Sequence, residues 1–324
     1  EAEFVPRRGG VSVRRHGPAL MVVAATIVVP LLGTDVAGRY ALTAILGLAV
    51  VGLSILVGHA GQVSLGQAGI VAIGAYASAI TTTDHGWSPI WGIGVGIVIT
   101  LVIAGVASLL IRLRGLYLAL ATLALGMLIQ VLLENLPDLT GGVNGVIGIP
   151  YLSIGGFEFA EPSDMFMLAG GLTAIAVWLN SGITTSHIGG CLRAIHEDED
   201  ATLACGVPVL RYKCGIWLLA AVYASIAGSL YAHYIGFVSP AQFGMEMSIL
   251  LITAVVVGGM TSPILGLVTF AVLRMLPDLL PSSVSPTLAV GVLLIVFMAL
   301  APGGVQGLIE NASRRVRGAH HAAG

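Results

Sequence analysis

The chain has 324 residues, 56% of them hydrophobic and only 9% charged, with a formal net charge of −2 and a mean hydropathy of +0.98. Soluble domains carry roughly 25% charged residues, so this composition cannot cover a water-facing surface and excludes a water-soluble globular domain. The near-neutral charge, with no basic stripe, gives no sign of a nucleic-acid partner.

Apolar runs separated by short polar breaks extend from about Ala19 to Leu300. A hydrocarbon core of ~30 Å takes about 20 apolar residues per helix, which leaves room for roughly eight to ten spans. Unpaired backbone groups are costly in lipid, so spans are helices or a closed barrel. The runs are continuously apolar rather than alternating, which favours helices. The expected fold class is an all-α polytopic transmembrane bundle of about ten spans.

In chain order, the predicted helices cover 19–33, 40–58, 64–81, 89–111, 115–133, 164–180, 214–236, 247–259, 264–276 and 287–300. The first, eighth and ninth are short, and tilting or flanking residues can accommodate them. The transmembrane domain is therefore expected over 19–300, between an amino-terminal tail (1–18) and a carboxy-terminal tail (301–324). The opening Glu1-Ala2-Glu3-Phe4 has the look of a fusion scar and is set aside. No cleavable signal is expected, because the first apolar run ends without a small-x-small site and more spans follow.

Basic residues sort the ends. With the amino terminus in the cytoplasm, the cytoplasmic segments hold Arg7, Arg8, Arg14, Arg15, Arg112, Arg114, Arg193, Arg211, Lys213, Arg314, Arg315 and Arg317. Only Arg39 and Arg274 fall on the other face. This positive-inside separation predicts ten spans with both termini cytoplasmic. It places loop 134–164, rich in Gly and Pro, outside and the charged loop 181–213 inside.

Several chemistries lack their residues. The only lysine, Lys213, is flanked by Tyr212 and Cys214, so no Gly-Lys-Ser/Thr loop exists to cradle phosphates and this chain is no P-loop ATPase. No H-E-x-x-H or G-x-S-x-G arrangement occurs. His16, His59, His85, His187, His196, His233, His320 and His321 have no ligand spacing, and Cys191, Cys205 and Cys214 match no zinc or redox motif. No metal or cofactor site is expected. Ionisable residues inside spans are functional candidates by default, yet His59 and His233 lie near helix ends and Arg274 can snorkel outward. The absence of a mid-span Asp or Glu weighs against proton coupling.

Two breaks stand out. Gly58-His59-Ala60-Gly61-Gln62-Val63-Ser64-Leu65-Gly66-Gln67-Ala68-Gly69 packs glycines, two glutamines and a serine between apolar runs. It reads either as a tight cytoplasmic hairpin with close packing or as a broken helix lining a path. Gly258-Gly259-Met260-Thr261-Ser262-Pro263-Ile264-Leu265-Gly266 follows the eighth helix in the same orientation. Paired Gly-interrupted hairpins point to a transport pathway. In the inner loop, Ser186–Leu210 reads as one helix with mixed apolar and acidic surfaces, either a solvated loop helix or a docking element.

Read together, these segments resemble the membrane subunit of an ABC importer for branched-chain amino acids, of the LivH/LivM type. The resemblance runs from about Ala41 to Leu308. It is carried in order by Gly58–Gly66, Gly74-Ala75-Tyr76, Arg112–Ala119 and Leu139–Gly145. It continues through Leu192–Glu199, Leu230–Tyr234 with Phe237–Pro240, and Pro302–Leu308. Gln67-Ala68-Gly69 and Met260-Thr261-Ser262-Pro263 depart from the family's usual pattern.

The resemblance implies an importer permease fold in a bacterial-type cytoplasmic membrane. It also implies a second permease chain, two ATPase subunits that carry ATP and magnesium, and an extracytoplasmic solute-binding protein. It assigns Arg193–Cys205 to a coupling helix against the ATPase, with Arg193, Ala194, Ile195, Glu197, Asp198 and Glu199 as its residues. Under this reading Gln62, Ser64, Gln67 and Thr261 are the expected polar lining of the path. Alternatives are an importer of urea, short amides or simple sugars, or a sodium-coupled secondary transporter. A membrane enzyme would need a nucleophile–base or metal constellation that the sequence lacks.

Overall fold

The computed structural model describes residues 11–31 and 34–279, together with Leu288, Gly291, Val292, Gly304, Gln306 and Gly307. The long helices are α1 (Val11–Leu31), α2 (Thr34–Gly58), α3 (Gln67–Thr83), α4 (Pro89–Ala107) and α5 (Leu116–Glu134). A short α6 (Pro137–Thr140) precedes α7 (Pro162–Thr185), and α8 (His187–Glu197) and α9 (Glu199–Ala204) follow it. The described bundle closes with α10 (Val209–Ile235), α11 (Met245–Gly258) and α12 (Pro263–Leu279).

Nine of the expected spans coincide with helices, namely α1 to α5, α7 and α10 to α12. The tenth, 287–300, lies outside the described residues apart from isolated positions. Six described helical stretches are long and apolar enough to cross a membrane, and Gly17–Val29 and Pro263–Leu276 are shorter apolar stretches. Continuous apolar sequence forms helices here because only a helix satisfies its own backbone without water.

The bundle is built around α2 and the α3–α10 pair. In the α2 stretch 89% of residues are buried, against 22% in the α4 and α5 stretches. The outward faces of α4 and α5 are correspondingly apolar, with Val98, Val102, Val106, Leu120 and Leu128 exposed. Such faces suit lipid or a neighbouring chain. Inside, α3 and α10 approach closely on small residues: a methyl at Gly228 would overlap the Val71 carbonyl. Ser229 Oγ donates to the Gly74 carbonyl at 3.0 Å, and Thr100 Oγ1 of α4 donates to Ser225 Oγ at 3.0 Å. Small side chains and inter-helix hydroxyl bonds take the place of a hydrophobic driving force in lipid.

The expectation of an all-helical chain omits two small pieces of sheet. Segment 135–161 contains β1 (Val146–Ile147), β2 (Ser153–Ile154) and β3 (Phe157–Glu158), while β4 (Phe237–Val238) follows α10. β2 and β3 form a hairpin with Ser153 opposite Glu158. β1 and β4 pair antiparallel, Val146 opposite Val238. This ladder ties the long connection to the turn after α10, at the end of the bundle opposite residues 59–66.

Candidate functional site

α2 stops at Gly58 and α3 begins at Gln67, leaving 59–66 without regular structure. Its start bonds back to α2, with Gln62 N–H donating to the Leu56 carbonyl at 3.1 Å, and its end reaches other helices. Leu65 N–H donates to Thr122 Oγ1 of α5 at 3.0 Å. In the first turn of α3, Ala68 N–H donates to Ser248 Oγ of α11 at 3.2 Å. Gln67 Nε2 donates to the Ala220 carbonyl of α10 at 3.3 Å. Irregular backbone survives in a bilayer protein when neighbouring side chains satisfy it in this way. Neither Thr122 nor Ser248 is singled out by the sequence, since lone hydroxyls on apolar helices are common.

The second break, 259–262, packs directly on the first. A methyl at Gly58 would overlap the Met260 carbonyl. His59 and Thr261 line one cavity of about 210 Å³, with Ser54, Asn180, Thr184 and Ser262 also in its wall. Thr261 Oγ1 donates to Gln306 Oε1 at 2.9 Å.

Two polar side chains of the first break are closed off. Gln62 and Ser64 are each 1% exposed. Neither amide atom of Gln62, nor Ser64 Oγ, has a hydrogen-bond partner among the described residues. A buried polar group left unpaired costs about 1–3 kcal/mol, so this arrangement is unfavourable as it stands.

Next to the first break lies the α8–α9 segment. It is two helices rather than the single one expected over 186–210. Asp198 interrupts it with φ −152° and ψ 106°, and its carboxylate accepts from the Asp200 and Ala201 amides at 3.0 Å each. Aspartate caps helix starts strongly, and Glu199 and Asp200 in the first turn complement the helix dipole of α9. Local capping therefore overrides continuous periodicity.

α8 is amphipathic. Cys191, Leu192 and Ile195 are buried, while Arg193, Ala194 and Glu197 are exposed. Arg193 Nη1 donates to the Thr184 carbonyl at 2.9 Å, joining α8 to the end of α7. Glu199 binds Lys213 Nζ at 2.6 Å and Arg114 Nε at 3.4 Å. Arg114 also grips Asp200 with two bonds, at 3.0 and 2.8 Å. Burial, with Arg193 and His196 nearby, pushes the His59 imidazole below its ordinary range.

The family model described as the permease component of a branched-chain amino acid transport system matches residues 37–301. The chain belongs to that family. Among curated relatives, the high-affinity branched-chain amino acid transport system permease protein LivM of Salmonella typhimurium is 31% identical over 278 residues. That alignment covers 75% of this chain and 63% of the relative. LivM of Escherichia coli is 32% identical over 261 residues, 70% of this chain and 59% of the relative. The chain thus spans about three fifths of the length of these relatives. No solved structure matches it.

The permease distributes its predicted residues unevenly. Of the four expected in the path, Thr261 lines the cavity, Gln62 and Ser64 are closed off nearby, and Gln67 is bonded to α10. Of the six expected in the coupling helix, Arg193, Ala194, Glu197 and Asp198 are exposed. Ile195 packs into the bundle and Glu199 is held in ion pairs. His59 belongs to the cavity, which a position at a helix end does not suggest; its place in the break motif is the signal for it.

Proposed function

We propose that this permease is the membrane-spanning subunit of an ATP-binding cassette importer that moves branched-chain amino acids by alternating access. The observation that carries the reading is the pair Gln62 and Ser64, whose polar atoms are buried inside an irregular segment with no partner among the described residues. Atoms with so little accessible surface have no adjoining space for water in this conformation. Native proteins leave few buried polar groups unpaired, and each calls for an explanation; in this reading it is a second state that satisfies them. Opening the two abutting breaks would expose them to water or to the polar ends of an amino acid. The 31–32% identity to LivM supports the cargo class.

In this reading the chain supplies a gate, and the motor lies elsewhere. Its single lysine is buried and bound to Glu199, which fits ATP and magnesium being held by two partner ATPase subunits. The exposed face of α8 and the start of α9 is the docking element for those ATPases. A second permease chain completes the path, and an external solute-binding protein supplies most of the selectivity. Ten spans in a bacterial-type cytoplasmic membrane, with both termini and 181–213 inside, complete the proposed topology; the basic-residue distribution supports it.

The test is leucine uptake into vesicles holding the full assembly, with ATP inside and the binding protein outside. Uptake that requires both is the expected result. Absence of ATP-dependent uptake of any aliphatic amino acid, with uptake of urea, an amide or a sugar instead, would move the cargo. Uptake by this chain alone on a sodium gradient would replace the mechanism.

A further inference from the structure

Gly61 and His196 are remote in sequence and meet in the fold. Gly61 has φ +64°, in the left-handed region that favours glycine. A β-carbon there would stand 2.9 Å from His196 Nδ1. The break thus carries a backbone notch occupied by an imidazole from the last turn of α8.

The surroundings make this contact mechanical. α8 is held against the bundle by Leu192 and Ile195, and joined to α7 through Arg193 and the Thr184 carbonyl. Its opposite face is exposed. His196 lies between those faces, touching the notch while remaining accessible. Directly after Gly61 come Gln62 and then Ser64, whose polar side-chain atoms have no partner among the described residues. Gly58, before it, rests on the Met260 carbonyl of the second break. Close-packed elements move between discrete arrangements rather than deforming continuously. A shift of α8 therefore acts on the backbone that holds both breaks closed.

We propose that His196, seated in the notch left by Gly61, is the positioning residue through which movement of the α8–α9 segment opens the 59–66 break. This rests on the transporter reading above. It adds the contact that links docking to the gate.

Hydrogen exchange of the peptide containing 59–66, in the complete assembly with and without a non-hydrolysable ATP analogue, reads the link directly. In the wild type, exchange is expected to rise about tenfold when the analogue closes the ATPase pair, within the usual range of coupling between sites. His196→Ala, compared with the wild type at matched ATPase content, should remove most of that rise. His196→Gln, a planar polar group of similar reach, should restore part of it. Gly61→Ala, which puts a methyl where His196 Nδ1 sits, should mimic the loss.

An unchanged response in His196→Ala overturns the inference, as does no response in the wild type. Loss of ATPase binding in His196→Ala also overturns it, because the residue then belongs to the docking face. A missing uptake activity with the exchange response intact overturns the cargo assignment and leaves the link standing.

Discussion

His233 and Ser78 are joined across the α3–α10 interface, with the imidazole Nε2 2.8 Å from the Ser78 hydroxyl oxygen. The other ring nitrogen, Nδ1, lies 2.8 Å from the Pro150 carbonyl oxygen. A carbonyl only accepts, so Nδ1–H donates to it, and in the neutral ring Nε2 accepts from Ser78. One fully buried side chain thus ties two core helices to the long connection before α7. His233→Ala is expected to destabilise the permease by about 1–3 kcal/mol, because it leaves the Pro150 carbonyl without this donor. Ser78→Ala should cost about 1 kcal/mol. Thermal unfolding in detergent measures both, and an unshifted melting temperature for His233→Ala would remove the tie.

Asp198 has two roles that different substitutions separate. As the cap of α9, it is worth about 1 kcal/mol of local helix stability. As an exposed charge beside Glu197, it belongs to the proposed docking face. Asp198→Asn keeps the cap and removes the charge, whereas Asp198→Lys removes both. Glu197→Lys changes charge without touching a cap. Glu197→Lys is expected to abolish ATPase co-purification with the melting temperature unchanged, and Asp198→Asn to weaken it. Retained assembly in both would leave the segment as a solvated loop.

Much of this architecture is legible in the sequence because hydropathy alone defines a span. α3, α5 and α11 each begin and end within about three residues of their predicted bounds. The Asp198 interruption was hidden because apolar spacing continues through it while capping acts locally. Two-residue strands such as β1 and β4 carry no periodic signal and form through pairing with a distant segment. Gln62, Ser64 and Thr261 could be found as polar residues in glycine-rich breaks. The meeting of Gly58 with Met260, and of Gly61 with His196, depends on how the helices pack. A single sequence does not encode that visibly.

The Arg114–Asp200 pair carries a pH dependence with a definite sign. The hydrogen bond from Arg114, reinforced by its charge, holds the Asp200 carboxyl below its ordinary value of 3.8. A group whose folded pKa is lowered contributes above its unfolded pKa and loses that contribution as pH falls through the folded value. The anchoring of α9 to the α4–α5 connection should therefore be constant at neutral pH and weaken only below 3.8. Both partners are exposed, so high salt should weaken it as well. Asp200→Asn should show faster proteolysis or hydrogen exchange in α9 at pH 7. Exchange that rises instead between pH 7 and 5 would point to another group.

Gln62 and Ser64 provide the test that separates a gate from a packing defect. If their unpaired atoms are a burden in the closed state, apolar replacements of similar shape relieve it. Gln62→Met and Ser64→Ala should then each raise the melting temperature of the closed permease. Removing an unsatisfied buried group returns about 1–3 kcal/mol, reduced in Gln62→Met by imperfect packing. The same substitutions should slow uptake, because the open state loses the groups that water or cargo would satisfy there. Stability and transport thus move in opposite directions, as at functional sites and unlike a plain core residue. A drop in melting temperature in both variants would mean that these atoms have partners and that the closed segment is at rest. Higher stability with full uptake would make them inert, and the path would then lie with Thr261 and His59 in the neighbouring cavity.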